Sequence, residues 1–209
     1  MSPLQLAVLA SGRGSNLQAI LRAIEEGKLN ATIKVVISDK KDALALEIAR
    51  TQGIAAHWIN PQGYSGKEEF EAAMLYLIKN NNCACIVLAG FMRVLSPNFV
   101  RNSGLPILNI HPSLLPSFPG LHAQRQAVEA GVRFSGCTVH FVDEGVDTGP
   151  IISQAIVPVY ANDNEEALTE RILAEEHKLY PRVIQQFSQG KIIRSGRKVI
   201  ITGEGEQNE

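Results

Sequence analysis

Residues Ile107 to Pro116 read Ile-Leu-Asn-Ile-His-Pro-Ser-Leu-Leu-Pro, an apolar run that carries two polar side chains and then meets proline. As a strand, this run points Asn109 and His111 to one face, because side chains two apart share a side of the pleat. Pro112 lacks the N–H that a ladder needs, so the strand stops there. The pair therefore stands at a strand's carboxyl end, where open α/β sheets bind their ligands. It offers an amide donor beside a group that titrates near neutrality.

The preceding half alternates strands with helices. Leu4 to Ala10 is a short apolar run, read as a buried strand. Ser11-Gly12-Arg13-Gly14-Ser15-Asn16 follows, and then Leu17, Ile20, Leu21 and Ile24 at helical spacing. Such a corner of strand, glycine loop and helix presents N–H groups with no partner inside the helix, which suits an anion and phosphate above all. The plainer reading is a tight turn with Ser15 or Asn16 as the N-cap. A dinucleotide fingerprint would need a third glycine where Leu17 stands, and a P-loop would need a lysine. Both are missing, so the loop reads as a cradle for a monophosphate.

Ile33 to Asp39 is the second strand, with Asp39 as a strand-end or turn residue. Helices are predicted over 43–50 and 68–79, and a short strand over 54–59 between them. Phe70, Met74, Leu75 and Ile78 form the apolar side of the second helix. Cys85 to Ala89 is a buried strand, and Phe91 to Leu95 extends from its end. Large apolar groups there either wall a pocket for a flat ligand or pack onto the next helix. Ser96 is the predicted N-cap of a helix through Val100, with Pro97 at its first position.

Beyond the central strand, Pro116, Pro119 and Gly120 predict a rigid loop, and 122–130 a helix. Strands over 136–142 and 151–159 are joined by a short connection, so they pair antiparallel. His140 reads as a packed or hydrogen-bonded mid-strand histidine. The connection itself, Asp143-Glu144-Gly145-Val146-Asp147-Thr148-Gly149-Pro150, holds three acids. Asp143 and Glu144 read as a solvated turn, whereas Gly149-Pro150 locks the chain just after Asp147. Asp163 with Glu166 resembles a capping box opening a long helix. Leu168, Ile172, Leu179 and Val183 line its apolar face, and Glu176 falls on that face too. A carboxylate there needs a cationic partner, from the protein or from a ligand. Residues 191–194 and 198–202 predict a hairpin, and the polar tail from Gly203 to Glu209 is expected to fray.

Composition narrows the partners. At 209 residues with a formal net charge of −1, the chain exerts no general pull on nucleic acid or anionic membrane. No apolar run approaches the roughly 20 residues that span a bilayer, and the first residues lack a charged segment ahead of an apolar one, as a signal peptide has. Cys83, Cys85 and Cys137 show no metal-ligand or disulfide spacing and read as reduced, buried thiols in a cytoplasmic protein.

Asn109, His111 and Asp147 could converge at the strand ends. A carboxylate raises the pKa of a neighbouring imidazole, and an amide beside an imidazolium suits a developing oxyanion. No serine or cysteine has a nucleophile-elbow context. From the residues, the chemistry is acyl or formyl transfer onto a phosphate-bearing acceptor.

Asn109 to Pro116 resembles the hallmark of the folate-dependent formyltransferases, and Ser11 to Leu17 is similar to the phosphate loop of that superfamily's purine-pathway branch. Asp143 to Pro150 and Glu176-His177 match in order and spacing, so the likeness covers about residues 4 to 190. The resemblance implies a single formyltransferase domain over 1–209, with a C-terminal hairpin and tail from 190. It implies an α/β, Rossmann-like, mixed and mostly parallel sheet of seven strands flanked by helices, antiparallel toward the C-terminus. It implies formyl transfer from 10-formyltetrahydrofolate to the amine of N1-(5-phosphoribosyl)glycinamide, with no metal, and a monomer or homodimer. Asn109, His111 and Asp147 would be catalytic, with Asp147 keeping His111 protonated. Gly14, Ser15, Asn16 and Glu176 would bind the ribonucleotide. Met92, Arg93, Val94, Leu95 and Asn109 would border the folate, and Asp143, Glu144, Gly145, Val146 and Asp147 would close over its pterin. Lys67 would meet the folate's glutamate tail. Superfamily members that act on transfer RNA carry a nucleic-acid-binding domain that a chain of this length and charge is not expected to hold.

Overall fold

In a computed structural model, residues 2–203 are described. The expected tail past Gly203 lies outside the described residues. The chain divides into two compact units, Met1–Asn109 and Ile110–Glu209.

The first unit is built of alternating strands and helices. Strand β1 (Leu4–Leu9) leads through the glycine loop into α1 (Ser15–Glu25), and β2 (Ala31–Ser38) into α2 (Leu44–Thr51). Strand β3 (Ala55–Trp58) and a short 3-10 turn precede α3 (Lys67–Asn80). Strand β4 (Cys85–Leu88) precedes α4 (Pro97–Ser103), and β5 (Ile107–His111) begins in this unit. β1 pairs in parallel with both β2 and β4, β2 with β3, and β4 with β5. Their carboxyl ends therefore open on one edge. The order reverses between β1 and β4, the switch point at which doubly wound sheets bind ligands. The strand interiors are continuously apolar: Leu6 to Leu9 and Cys85 to Val87 have no exposed surface. This is what a parallel sheet covered on both faces requires.

The second unit contains α5 (Ala123–Glu129), β6 (Phe134–Phe141), β7 (Ile151–Pro158), α6 (Glu165–Ser188) and the hairpin β8 (Ile192–Ser195) with β9 (Lys198–Ile201). β6 and β7 pair antiparallel, as do β8 and β9. The seven-stranded sheet runs β3-β2-β1-β4-β5-β6-β7, and helices flank it.

Two helix N-caps differ from expectation. Gly14, in the left-handed region at φ 75°, caps α1, and neither Ser15 nor Asn16 does. A Cβ at Gly14 would come within 3.0 Å of Ala45 Cα, so close approach of the loop to α2 also demands glycine there. In α6 the cap is Asn164, whose side chain accepts the Ala167 N–H, and not Asp163. Asp163 instead accepts the Tyr160 N–H and two guanidinium bonds from Arg171, which hold its carboxyl down at about 2. The Ser96 cap and Pro97 start of α4 are as predicted, and that helix runs on to Ser103. The three cysteines are free and buried. No helix among the described residues is long and apolar enough to cross a membrane.

Candidate active site

In the first unit the strand ends are stitched together. Ser11, two residues past β1, donates its backbone N–H to the Gly90 carbonyl at 2.9 Å. Its hydroxyl donates to Asp39 Oδ1 at 2.6 Å and accepts the Met92 N–H at 2.9 Å. Asp39, one residue past β2, is buried, and its Oδ2 lies 3.8 Å from Arg93 Nη1. The Arg93 guanidinium sits 5.3 Å from the centre of the Phe70 ring. In the glycine loop Gly14 and Asn16 are buried, Ser15 is half-buried and Arg13 is exposed.

The 92–95 segment splits by side chain. Met92 is 63% and Val94 55% exposed, whereas Leu95 turns into the core at 7%. Two open apolar side chains next to the sheet's ligand edge suit a flat ring system. Lys67 opens α3 with its Nζ 3.9 Å from Glu71 Oε1. Glu71 is buried, and it accepts both the backbone N–H and the hydroxyl of Ser96. The start of α4, directly after the exposed segment, is thereby tied to α3.

Asn109 and His111 occupy alternate positions of β5 and so leave the same face. In the second unit His111 is buried. Its Nε2 lies 2.8 Å from the Phe118 carbonyl, and its Nδ1 lies 3.3 Å from Asp147 Oδ2. That carboxylate oxygen also accepts the Gly120 N–H at 2.8 Å, while Oδ1 faces His140 Nε2 at 3.6 Å. Asp147 adopts φ 54°, a left-handed conformation that aspartate tolerates better than most residues.

Both ring nitrogens of His111 face acceptors, and only the imidazolium can donate to both. Burial works against that charge and is the larger influence, pushing His111 below its ordinary pKa. Asp147 and the Phe118 carbonyl pull it up, and His140 pulls it down. Asp147 thus raises the His111 pKa, as a carboxylate beside an imidazole does, but against a larger desolvation cost that leaves the net shift downward. For Asp147 burial alone would raise the pKa. The His140 contact, the Gly120 N–H and the charge on the imidazoles together outweigh it and hold the carboxyl below its usual range.

The loop from Asp143 is closed on itself. Asp143 Oδ1 accepts the Gly145 N–H at 3.1 Å and the Thr148 hydroxyl at 2.6 Å. Glu144, Gly145 and Val146 are exposed. Glu176 is buried on α6, on the apolar face where its spacing places it. Burial pushes the Cys137 thiol up to about 12, and the Glu176 charge adds to the push. No group of three or more His, Cys, Asp or Glu side chains that could hold a metal ion occurs among the described residues.

Residues 4–184 match the family model of the formyl transferases. The chain belongs to the formyl transferase family. The phosphoribosylglycinamide formyltransferase of Escherichia coli (strain K12) is 46% identical to it over 90% of this chain and 89% of that protein. A crystal structure of glycinamide ribonucleotide transformylase 1 from Symbiobacterium toebii superposes with a TM-score of 0.92 at 48% identity, covering 96% of this chain and 94% of that one. The trifunctional purine biosynthetic protein adenosine-3 of Drosophila melanogaster is 47% identical over 91% of this chain, which spans 14% of that protein. As a formyl transferase, the chain is an enzyme that transfers a one-carbon group.

Of the residues predicted for a formyl transferase site, His111 and Asp147 are in direct contact, and Asn109 shares the strand face of His111. Ser11, Asp39 and His140 were not predicted as site residues, yet they carry the contacts that hold the candidate groups. His140 gives no signal in the sequence, because its relation to Asp147 depends on how the 143–150 loop folds back. Ser11 had a weak one, as the residue that opens the glycine loop.

Proposed function

We propose that the chain transfers the formyl group of 10-formyltetrahydrofolate to the amine of N1-(5-phospho-D-ribosyl)glycinamide in de novo purine biosynthesis. The products are formylglycinamide ribonucleotide and tetrahydrofolate. The observation that carries the reading is the contact of the buried His111 with Asp147 at the carboxyl end of β5, two residues from Asn109. The names of the E. coli and S. toebii relatives support the choice of acceptor.

In this reading the chain is a single formyltransferase domain. The glycinamide amine adds to the formyl carbon, and the carbonyl electrons move onto oxygen. Asn109 and His111 stabilise that oxyanion by hydrogen bonding and charge. The His111 Nε2–H, which faces the Phe118 carbonyl at 2.8 Å, becomes its donor once that carbonyl gives way. The developing negative charge favours the imidazolium, against the burial that disfavours it, and Asp147 fixes the ring. The amine's proton passes through water to N10, and the C–N10 bond breaks as the carbonyl re-forms.

The N–H groups of Gly14, Ser15 and Asn16 hold the ribose phosphate at the start of α1, where the helix dipole favours an anion. Glu176 meets the polar side of the ribonucleotide. Met92, Arg93, Val94 and Leu95 border the folate, and the backbone from Asp143 to Asp147 closes over the pterin. Lys67 reaches the glutamate tail once it leaves Glu71.

The test is a spectrophotometric assay with a 10-formyl folate analogue and phosphoribosylglycinamide. Release of the deformylated folate that requires the glycinamide is the expected result. Release without any acceptor would make the chain a deformylase, and no release in either case would overturn the reading.

A further inference from the structure

Two loops of the first unit are assigned above to different substrates: residues 14–16 to the phosphate, and 92–95 to the folate. They leave different strands, β1 and β4, yet both are joined through one side chain. The Ser11 hydroxyl has a single hydrogen, and it goes to Asp39 Oδ1 at 2.6 Å. Its oxygen accepts the Met92 N–H at 2.9 Å, which fixes the direction of both bonds. The same residue's backbone donates to Gly90 at 2.9 Å. Ser11 thus grips the second loop at two points, 90 and 92, and leads directly into the first.

The other end of this relay is anchored. Asp39 is 5% exposed, and its second oxygen faces Arg93 Nη1 at 3.8 Å, so the carboxylate also holds the residue after Met92. Arg93 in turn lies over Phe70. Beyond Ser11, the Gly12 carbonyl accepts the Ala45 N–H at 3.2 Å, and Gly14 packs against Ala45. The 12–14 loop is therefore held between Ser11 and α2. Hydrogen bonds of this length weaken steeply when either partner shifts, so an adjustment of one loop around its ligand is felt by the other.

We propose that Ser11 is a positioning residue that couples the two subsites, so that ribonucleotide in the phosphate loop tightens folate binding at 92–95, and the reverse. The coupling rests on the functional reading above. It is reciprocal, as any coupling between binding equilibria must be. Its expected size is about tenfold in dissociation constant, or about 1.4 kcal/mol.

The test begins with transfer activity of the wild-type protein. Binding of a deformylated folate analogue is then titrated by fluorescence, with and without phosphoribosylglycinamide, in wild type, S11A, S11T and D39N. The ratio of the two dissociation constants is the readout, because a role confined to stability leaves that ratio unchanged. A wild-type ratio near ten is expected to fall to about one in S11A and toward one in D39N, and to be kept in S11T, which retains the hydroxyl. Should S11A not fold, S11T and D39N decide the matter alone. A wild-type ratio of one, or a ratio unchanged in both S11A and D39N, overturns the coupling while leaving the functional reading in place. Absence of transfer by the wild type overturns the reading, and the coupling falls with it.

Discussion

At the scale of single residues, the His111–Asp147 contact concentrates what can be tested. Removing either group takes away a transition-state interaction of the kind worth two or more orders of magnitude in rate. His111→Ala and Asp147→Ala are each expected to lower kcat at least about a hundredfold while changing KM far less. Steady-state kinetics check this, and an effect confined to KM would count against both roles. Asp147→Asn also has a signed consequence for titration. The carboxylate is among the influences that raise the His111 pKa against burial. Its loss is expected to move that pKa further down, read from the imidazole chemical shifts in an NMR titration. An upward movement would show that Asp147 acts on His111 in some other way.

At the scale of elements, Ser96 and Gly149 are the sensitive points. The Ser96 hydroxyl accepts the Phe99 N–H as the cap of α4 and donates to the buried Glu71. Ser96→Ala removes a helix cap, which costs about 1 kcal/mol. It also takes a donor from a buried carboxylate, a further loss of about 1–3 kcal/mol. Chemical denaturation should therefore show the variant less stable by about 2–4 kcal/mol, and a loss below 1 would mean that the Glu71 contact contributes little. Gly149 lies so close to Phe141 that an added Cβ would collide with the Phe141 carbonyl. Gly149→Ala is expected to lower the thermal midpoint and to disturb the setting of the nearby Asp147. Elements of this size were legible in the sequence to within a few residues. Phe70, Met74 and Ile78 mark one side of α3 by spacing alone, and all three are buried. The caps were less legible, because Asp163 and Asn164 are equally good capping types and Arg171, eight residues on, draws Asp163 away.

For the whole molecule, pH and thiol chemistry report on packing. His111 and His177 are both pushed below their ordinary value of 6.5, chiefly by burial. The folded chain then binds fewer protons than the unfolded one as pH falls from about 6.5. Asp147, depressed below 3.8, repeats the effect at lower pH. Stability is therefore expected to be full above about pH 6.5 and to decline on acidification, first through the histidines and then through Asp147. A thermal midpoint that rises between pH 7 and 5 would contradict this. Burial also raises all three thiols, Cys83 to about 11 and Cys137 to about 12. A thiol-reactive chromophore should react slowly with the native protein and count three thiols after denaturation. The sequence alone determined the alternation of strands and helices, the buried apolar runs, the place of Asn109 and His111 at a strand end, and the likeness to the formyltransferases. Each of these is a matter of local periodicity or of residues adjacent in the chain. Only the tertiary structure decided that Asp147 stands between two histidines, that burial outweighs it at His111, and that Ser11 joins Asp39 to Met92. Those contacts link residues 7 to 81 positions apart. Whether a charge is desolvated or a hydroxyl satisfied depends on what the folded chain brings against it, which spacing does not encode.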